Sequence, residues 1–207
     1  MPDPNNVALR KHGAVFMLLP KCANTSIKRA LLAALDRPDV EDVHRMGVFD
    51  YVSKEEARNF PVRVAFVRDP LARLASCYRD KFEELTDGRF LRGFERFGLE
   101  PRMGFDAFVD VVARLPDAKC RGAGDHFRSQ GWSLCQGDHV IPNLVGRVET
   151  LSRDWERVRS AMIGRGLNLP PLSHERRTDS SAVAWSPAAR ALALERYADD
   201  RRIWGYA

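Results

Sequence analysis

Two segments of the chain combine basic and hydroxyl side chains at the start of a predicted helix, a combination suited to phosphate-type anions. In the first, Lys21 precedes Thr25 and Ser26, where a buried strand turns into an amphipathic helix. Because the first N–H groups of a helix form an anion site, we expect the amides of Asn24 to Ser26, both hydroxyls and the Lys21 ammonium to hold one anionic group. The segment has no glycine and its lysine stands before the turn, so a nucleoside triphosphate P-loop is not expected. A capped helix beside a surface lysine is the alternative.

The second segment follows the next strong strand. Arg68 stands at the end of that strand, Ser76 lies two turns into the following helix, and Arg73 lies between them. Ligands of open α/β sheets bind at the carboxyl ends of the strands. Two adjacent anion sites would suit a molecule with two separated phosphate-type groups, so we predict a bis-phosphorylated nucleotide.

The elements that must position these side chains alternate between short apolar runs and amphipathic stretches. Residues 14–19 and 62–67 predict strands buried on both faces, which is typical of a parallel sheet. We predict further strands at 40–45 and 140–148, and an amphipathic helix whose apolar positions run from 105 to 115. The pattern indicates an α/β domain with a mainly parallel sheet.

Helix boundaries are marked by capping residues. Ser53 opens a capping box, Asp69 precedes a proline at the first helical position, and Thr150 is expected to cap a helix that ends at glycines. Ser186 is expected to start the last helix, which we predict to run to about Asp199.

The composition is that of an ordinary globular protein, with 207 residues, 44% hydrophobic and 29% charged. It predicts a single domain over 1–207. The longest apolar run is too short to cross a bilayer, and the N-terminus lacks the apolar core of a signal peptide. We therefore expect a soluble, cytoplasmic protein without a membrane span.

The formal net charge of +5 favours anionic partners without naming one. No long basic run and no interleaved aromatic ladder supports nucleic-acid binding, which is not expected. The four cysteines contain no CxxC pair, so we expect free thiols. The string from Cys120 to His139, C-x5-H-x8-C-x3-H, opens with a spacing unlike that of zinc sites, so no metal is expected.

Both segments resemble the sulfotransferases of the carbohydrate-modifying, membrane-associated superfamily. Leu19 to Ile27 (LPKCANTSI) is similar to that family's 5′-phosphosulfate loop, and Phe66 to Phe82 (FVRDPLARLASCYRDKF) is similar to its 3′-phosphate motif. Weaker matches at 105–109, 125–130, 145–151 and 197–206 extend the resemblance over nearly the whole chain. The resemblance implies a three-layer, P-loop-like sulfotransferase fold with a mainly parallel central sheet.

The resemblance also implies a donor, 3′-phosphoadenosine 5′-phosphosulfate (PAPS), used without a metal. Lys21 would stabilise the leaving oxygen during transfer. From the residues alone, the polar loop at 174–181 either closes over the nucleotide through Arg176 or Arg177 or is a flexible, solvated loop. The remaining donor contacts implied are Cys22, Ala23, Asn24, Thr25 and Ser26 at the phosphosulfate, and Arg68 and Ser76 at the 3′-phosphate.

Two histidines are candidates for the general base that accepts the proton of the acceptor hydroxyl, because an imidazole titrates in the right range. His44 lies at the end of the predicted strand at 40–45, where relatives acting on heparan-type chains place a catalytic histidine, and a surface histidine is the alternative. His126 is the rival, although Phe127 stands where the family's comparable motif usually has tryptophan. Glu or Asp is the alternative if neither histidine serves.

The predicted activity is sulfuryl transfer to a hydroxyl of a carbohydrate-type acceptor. Animal relatives are anchored in the Golgi, so a chain without an anchor fits a small, soluble, bacterial form. The acceptor and the oligomeric state stay open, and the alternatives are a nucleotide-dependent phosphotransferase and a non-catalytic glycan- or anion-binding module. Arg147 is either a donor contact or a partner of Glu149. A group of arginines either contacts an anionic acceptor or forms the charged face of an irregular helical segment: Arg89, Arg92, Arg96 and Arg102.

Overall fold

The computed structural model describes residues 1–83, 93–172 and 183–206, and the chain divides into two compact units. The first unit comprises Met1–Val67 and Leu134–Arg176, and the second comprises Arg68–Ser133 and Arg177–Ala207. Each unit is therefore built from two separate stretches of sequence. A single domain over 1–207 stays a prediction.

The first unit contains the strands. They are β1 (Asn6–Leu9), β2 (Ala14–Met17), β3 (Asp50–Tyr51), β4 (Val62–Val67), β5 (Cys135–Gln136), β6 (His139–Val140) and β7 (Leu144–Arg147). Five of them form one sheet in the order β3-β1-β2-β4-β7, and β5 pairs with β6 in a separate hairpin. The pairs β2–β4 and β4–β7 are parallel, whereas β1 is antiparallel to both β2 and β3. The α/β class is confirmed, but the sheet is mixed and not mainly parallel as predicted, because two of its four described strand pairs are antiparallel.

The described helices are distributed over both units. The first unit holds α1 (Asn24–Ala34), α2 (Lys54–Ala57) and α6 (Leu151–Ile163), and the second holds α3 (Pro70–Tyr78), α4 (Phe105–Ala113), α7 (Pro187–Arg196) and α8 (Ala198–Trp204). The short helix α5 (Gln130–Leu134) belongs to the second unit except for its last residue. Within the described ranges, no helix is long and apolar enough to span a membrane.

Three of the predicted caps are confirmed. Each side-chain oxygen accepts a hydrogen bond from the backbone N–H three residues later, which satisfies a donor that the first helical turn leaves unpaired. These caps are Ser53 to Glu56 at 3.1 Å, Asp69 to Ala72 at 2.8 Å and Ser186 to Ala189 at 3.1 Å.

The predicted strand at 40–45 is wrong. The backbone there forms turns, because the Asp42 carboxylate accepts from the His44 N–H at 2.9 Å and the Arg45 N–H bonds to the Asp42 carbonyl. Aspartate favours such turns, since its side chain imitates a backbone acceptor. The strand that does form, β3, comes later and pairs with β1.

Three other boundaries differ from prediction. The predicted strand at 140–148 is divided by Pro142 into β6 and β7, because proline cannot donate to a strand ladder. Thr150 occupies the N-cap position of α6, but its hydroxyl donates to Asp154 at 2.6 Å instead of accepting from the backbone. The last predicted helix ends at Arg196, and α8 begins after Tyr197.

The core of the second unit is aromatic. The rings of Phe82 and Phe108 lie 4.9 Å apart and those of Phe82 and Phe94 5.1 Å apart, and all three residues are at most 2% exposed. Phe127 packs in the same cluster. The helix predicted from residue 105 onwards is confirmed as α4, and it buries Phe108, as its apolar spacing requires.

Candidate functional site

The backbone between β2 and α1 adopts two unusual conformations. Lys21 and Ala23 have φ values of +67° and +60°, in the left-handed region that side chains with a Cβ seldom occupy. Strain of this kind concentrates at ligand-binding turns. Ala23 is also the N-cap of α1 and provides no side-chain hydrogen bond, so the first amides of the helix lack a side-chain cap. This loop therefore has the uncapped helix start that the sequence predicted as an anion site.

Side chains of the same loop fall into two groups. Asn24 is only 8% exposed and donates from Nδ2 to the Leu18 carbonyl at 3.2 Å, which ties the helix start to the end of the strand. Cys22 and Ser26 are buried as well. Lys21 is half-buried and Thr25 is exposed, so these two present their side chains at the surface of the loop.

The side chain of His44, in the same unit, lies next to this loop. Its Nε2 lies 3.1 Å from the Thr25 hydroxyl, although 19 residues separate the two in sequence. The turn made by Asp42 holds the backbone of His44 locally, whereas the contact with Thr25 depends on the tertiary structure. A residue predicted to bind an anion and a residue predicted to act as a base therefore lie in contact.

A cavity of about 540 Å³ opens in the loop that carries His44. The Arg37 guanidinium donates to the Val48 carbonyl at 2.7 Å, which closes the base of the loop. Val43, at the centre of the loop, is 2% exposed and anchors it. The cavity is lined by Arg37, Asp39, Val40, Glu41, Asp42, Arg45, Met46, Gly47 and Val48.

The second predicted segment lies in the other unit. Arg68 directly follows β4 and is half-buried. Its N–H donates to Gln130 Oε1 at 2.9 Å, and its carbonyl accepts from Gln130 Nε2 at 2.8 Å. Gln130 ends the segment 125–130 that resembles the family, but no role was predicted for it, because nothing in the spacing of residues 62 positions apart signals this contact.

Ser76 is 1% exposed, and its hydroxyl has no hydrogen-bond partner within the residues that the structure describes. Leaving a buried hydroxyl unsatisfied costs about 1–3 kcal/mol. Such a group indicates a missing partner, and a phosphate oxygen is one that a hydroxyl would bind.

The side chains of Arg73 and His126 form hydrogen bonds with backbone carbonyls. Arg73 is 2% exposed and donates to the carbonyls of Arg128 at 2.6 Å and Asp125 at 2.7 Å. His126 Nδ1 lies 3.1 Å from the Ala123 carbonyl, which can only accept, so Nδ1 carries the proton and Nε2 is the basic atom of the neutral ring. Arg73 therefore supports the segment that contains His126.

The other predicted basic residues are distributed as follows. The Arg147 amide donates to Asp154 at 2.9 Å. Arg96 lies 4.6 Å from the centroid of the Phe97 ring, which fits a charged face on the surface. Arg102 has a φ of +58°. Arg89, Arg92, Arg176 and Arg177 lie outside the described residues.

In the part of the chain that the structure describes, no three His, Cys, Asp or Glu side chains cluster as metal ligands would. Of the four cysteines, Cys22, Cys77 and Cys120 are buried and Cys135 is half-buried.

The chain is an α/β protein whose parallel strands lead into loops with basic residues. One of these loops leads into a helix that has no side-chain cap. The chain belongs to the sulfotransferase family, whose family model matches residues 6–207. No solved structure matches the chain significantly.

Several curated proteins are similar to it. Carbohydrate sulfotransferase 12 of Xenopus laevis is 27% identical over 83% of this chain and 51% of its own length. Carbohydrate sulfotransferase 11 of Rattus norvegicus is 25% identical over 81% of the chain and 55% of its own length. Carbohydrate sulfotransferase 14 of Mus musculus is 34% identical, over 45% of the chain and 26% of its own length. The chain spans about half the length of the first two relatives.

Proposed function

We propose that the protein transfers a sulfuryl group from PAPS to a hydroxyl of a carbohydrate acceptor. The observation that carries this proposal is the contact between Thr25, in the uncapped loop before α1, and His44. It places a group that can accept a proton beside a loop suited to an anionic donor. Membership of the sulfotransferase family supports the reaction type.

Donor binding would use both predicted segments. The amides of Asn24, Thr25 and Ser26 and the Lys21 ammonium would bind the phosphosulfate, with Cys22 and Ala23 shaping the turn. Arg68 and the Ser76 hydroxyl would bind the 3′-phosphate, and Arg176 is proposed to cover the nucleotide. The unsatisfied hydroxyl of Ser76 supports the second part of this assignment.

The chemical step exchanges one S–O bond for another. The acceptor oxygen forms a bond to sulfur, and the bond between sulfur and the bridging phosphate oxygen breaks. Lys21 neutralises the charge that develops on this oxygen, as a fixed cation does in phosphoryl transfer. The acceptor proton passes to Nε2 of His44. This scheme draws its positive charge from side chains and needs no metal.

The acceptor is proposed to occupy the cavity in the loop that carries His44, whose lining residues flank this histidine in sequence without including it. Its volume of about 540 Å³ is in the range of small-ligand sites. Carboxylates of Asp39 and Glu41 can accept hydrogen bonds from sugar hydroxyls, and exposed Met46 offers an apolar surface. Several relatives carry the name carbohydrate sulfotransferase, which supports this acceptor class.

Two measurements test the proposal. Calorimetry should show that adenosine 3′,5′-bisphosphate binds more tightly than ATP, and labelled sulfate should pass from PAPS to a member of an oligosaccharide panel. Preferred binding of ATP would favour a phosphotransferase instead. Binding of the bisphosphate without transfer to any acceptor would favour a glycan- or anion-binding module.

The Lys21→Ala variant examines the role of the lysine. We expect its turnover to fall by a factor of about 100 or more, because a transition-state cation is lost. Circular dichroism and the melting temperature should stay those of the wild type. Lys11→Ala removes an exposed lysine of the same unit and is the matched control. Wild-type turnover in Lys21→Ala would refute the assigned role.

A further inference from the structure

One side chain holds both main-chain polar groups of Arg68. Gln130 is 0% exposed, donates to the Arg68 carbonyl at 2.8 Å and accepts from the Arg68 N–H at 2.9 Å. A residue that leaves the end of a strand loses its ladder partners, and its N–H and C=O need others. With both groups bound to a single amide, the backbone of Arg68 is fixed in position and direction.

Gln130 is itself held at its backbone. Asp200, on α8, accepts from the Gln130 N–H and from the Gly131 N–H, each at 2.7 Å, and is 1% exposed. A carboxylate at the start of a helix satisfies the unpaired amides there. Gly131 permits the approach, since a Cβ at this position would lie 3.2 Å from the Asp200 carboxylate.

The segment that leads into Gln130 is fixed at three further points. Arg73, on α3, holds the carbonyls of Asp125 and Arg128, and the Tyr197 hydroxyl donates to the Phe127 carbonyl at 2.5 Å. Arg73 lies three residues before Ser76 on the same helix. The second unit therefore connects the backbone of Arg68 and the helix of Ser76 through one immobilised segment.

We propose that Gln130 is a positioning residue for nucleotide binding, seated by Asp200, which fixes the Arg68 backbone so that the guanidinium is presented to a 3′-phosphate. This inference rests on the proposed function, because it takes the 3′-phosphate as the ligand of Arg68. Gln130 touches no nucleotide in this scheme and acts only through Arg68. Pre-ordering removes the cost of immobilising a long side chain on binding.

The test compares two nucleotides in a Gln130→Met variant, which keeps the approximate volume of the side chain and removes both hydrogen bonds. Calorimetry gives the dissociation constants of adenosine 3′,5′-bisphosphate and adenosine 5′-monophosphate. The dissociation constant of the monophosphate divided by that of the bisphosphate measures what the 3′-phosphate contributes. We expect this ratio to fall by about tenfold, which is typical when a residue that positions a ligand-binding group is removed. The dissociation constant of the monophosphate should change little. Gln136→Met is the matched control, because Gln136 is exposed and bonds only to Arg58 among the contacts described for its side chain.

A double-mutant cycle separates positioning from packing. In an Arg68→Ala background, Gln130→Met should not lower the ratio further, since the residue it positions is absent. If Gln130→Met does not fold, Asp200→Asn is used instead and should lower the ratio in the same direction. A lower melting temperature with an unchanged ratio would overturn the inference and leave the proposed function intact. A wild-type protein that binds both nucleotides equally would overturn both.

Discussion

Lys21 and Ala23 both have a left-handed backbone conformation. A left-handed conformation costs a residue with a Cβ about 1–3 kcal/mol and persists only where its surroundings impose it. Here the neighbours on either side are fixed, because the Cys22 N–H bonds to Leu19 and Asn24 bonds to Leu18. The loop thus achieves without glycine the shape that glycine usually provides.

At the same scale, the two histidines differ in what they can do. We expect His44→Ala to lower kcat/KM by a factor of about 100 and to remove the fall in kcat/KM at acidic pH, because a protonated imidazole can no longer accept a proton. His126→Ala should keep that fall, because the proposed function assigns the acceptor proton to Nε2 of His44. The measurement is a pH–rate profile of both variants.

The opposite result, with the acidic limb lost only in His126→Ala, would assign the base to His126. If both variants keep the limb, the base is a carboxylate.

At the scale of elements, the packing of β7 on β4 depends on a glycine. Gly146 pairs with Phe66, and a Cβ at Gly146 would lie 2.3 Å from the Phe66 ring. The same ring lies 6.2 Å from Trp155 of α6, so it has a neighbour on that side as well. The absence of a side chain at 146 is what allows Phe66 to fill this part of the core.

We expect Gly146→Ala to lower the free energy of unfolding by about 1–3 kcal/mol, the usual cost of overpacking a core. Urea denaturation measures it. Gly104→Ala is the control, because Gly104 has an ordinary φ of −64° and a Cβ there would contact nothing within 4 Å. Equal stability of the two variants would contradict this account of the packing.

Asp117 joins three parts of the second unit. Its carboxylate pairs with Arg196 at the end of α7 and accepts from the Ser129 N–H at 2.9 Å and from the Ser129 hydroxyl. Burial raises the pKa of Asp117, but the hydrogen bonds from Arg196 and Ser129 outweigh it, and the pKa lies below its ordinary value. A carboxyl with a lowered pKa stabilises the fold above its unfolded pKa of about 3.9 and loses that contribution as the pH falls through the folded value.

Asp117→Ala should therefore destabilise the protein by about 3 kcal/mol at neutral pH, because it leaves the Arg196 charge unpaired. The difference from wild type should shrink in acid below about pH 4. Urea titrations at both pH values measure this. Asp110→Ala removes an exposed pair with Arg114 and should cost only about 0.5 kcal/mol. A constant difference across the pH range would rule out the proposed charge effect.

At the scale of the whole molecule, the net charge of +5 is spread over many arginines with local partners. Arg114 pairs with Asp110 and Arg202 with Asp199, each within a turn of helix or at its end, and all four side chains are exposed. Such pairs contribute little to stability. The overall charge is therefore a weak guide to where an anion binds.

The double variant Arg114→Gln, Arg202→Gln lowers the formal charge from +5 by two, and we expect kcat/KM to stay within about twofold of the wild-type value. Lys21→Ala, which removes a single charge, should have a far larger effect. Steady-state kinetics at low and at high ionic strength compare them. A loss in the double variant that disappears at high salt would show long-range steering of the donor.

Local sequence determined the parts of this protein whose causes are local. The apolar runs predicted β2 and β4, and the oxygen-bearing residues Ser53, Asp69 and Ser186 predicted helix starts. Each of these depends on neighbours within a few residues, which a pattern can reveal. The strand predicted at 40–45 failed for a related reason, because the Asp42 turn outweighed a weak apolar pattern.

Only the tertiary structure decided which distant residues meet. The contact of His44 with Thr25 and the hold of Gln130 on Arg68 join residues 19 and 62 positions apart, and Asp200 reaches Gln130 across 70. No periodicity or spacing in the sequence encodes such pairs, because they depend on how the strands and helices pack. The sequence therefore determined which chemical groups are available, and the packing of the elements decided which of them act together.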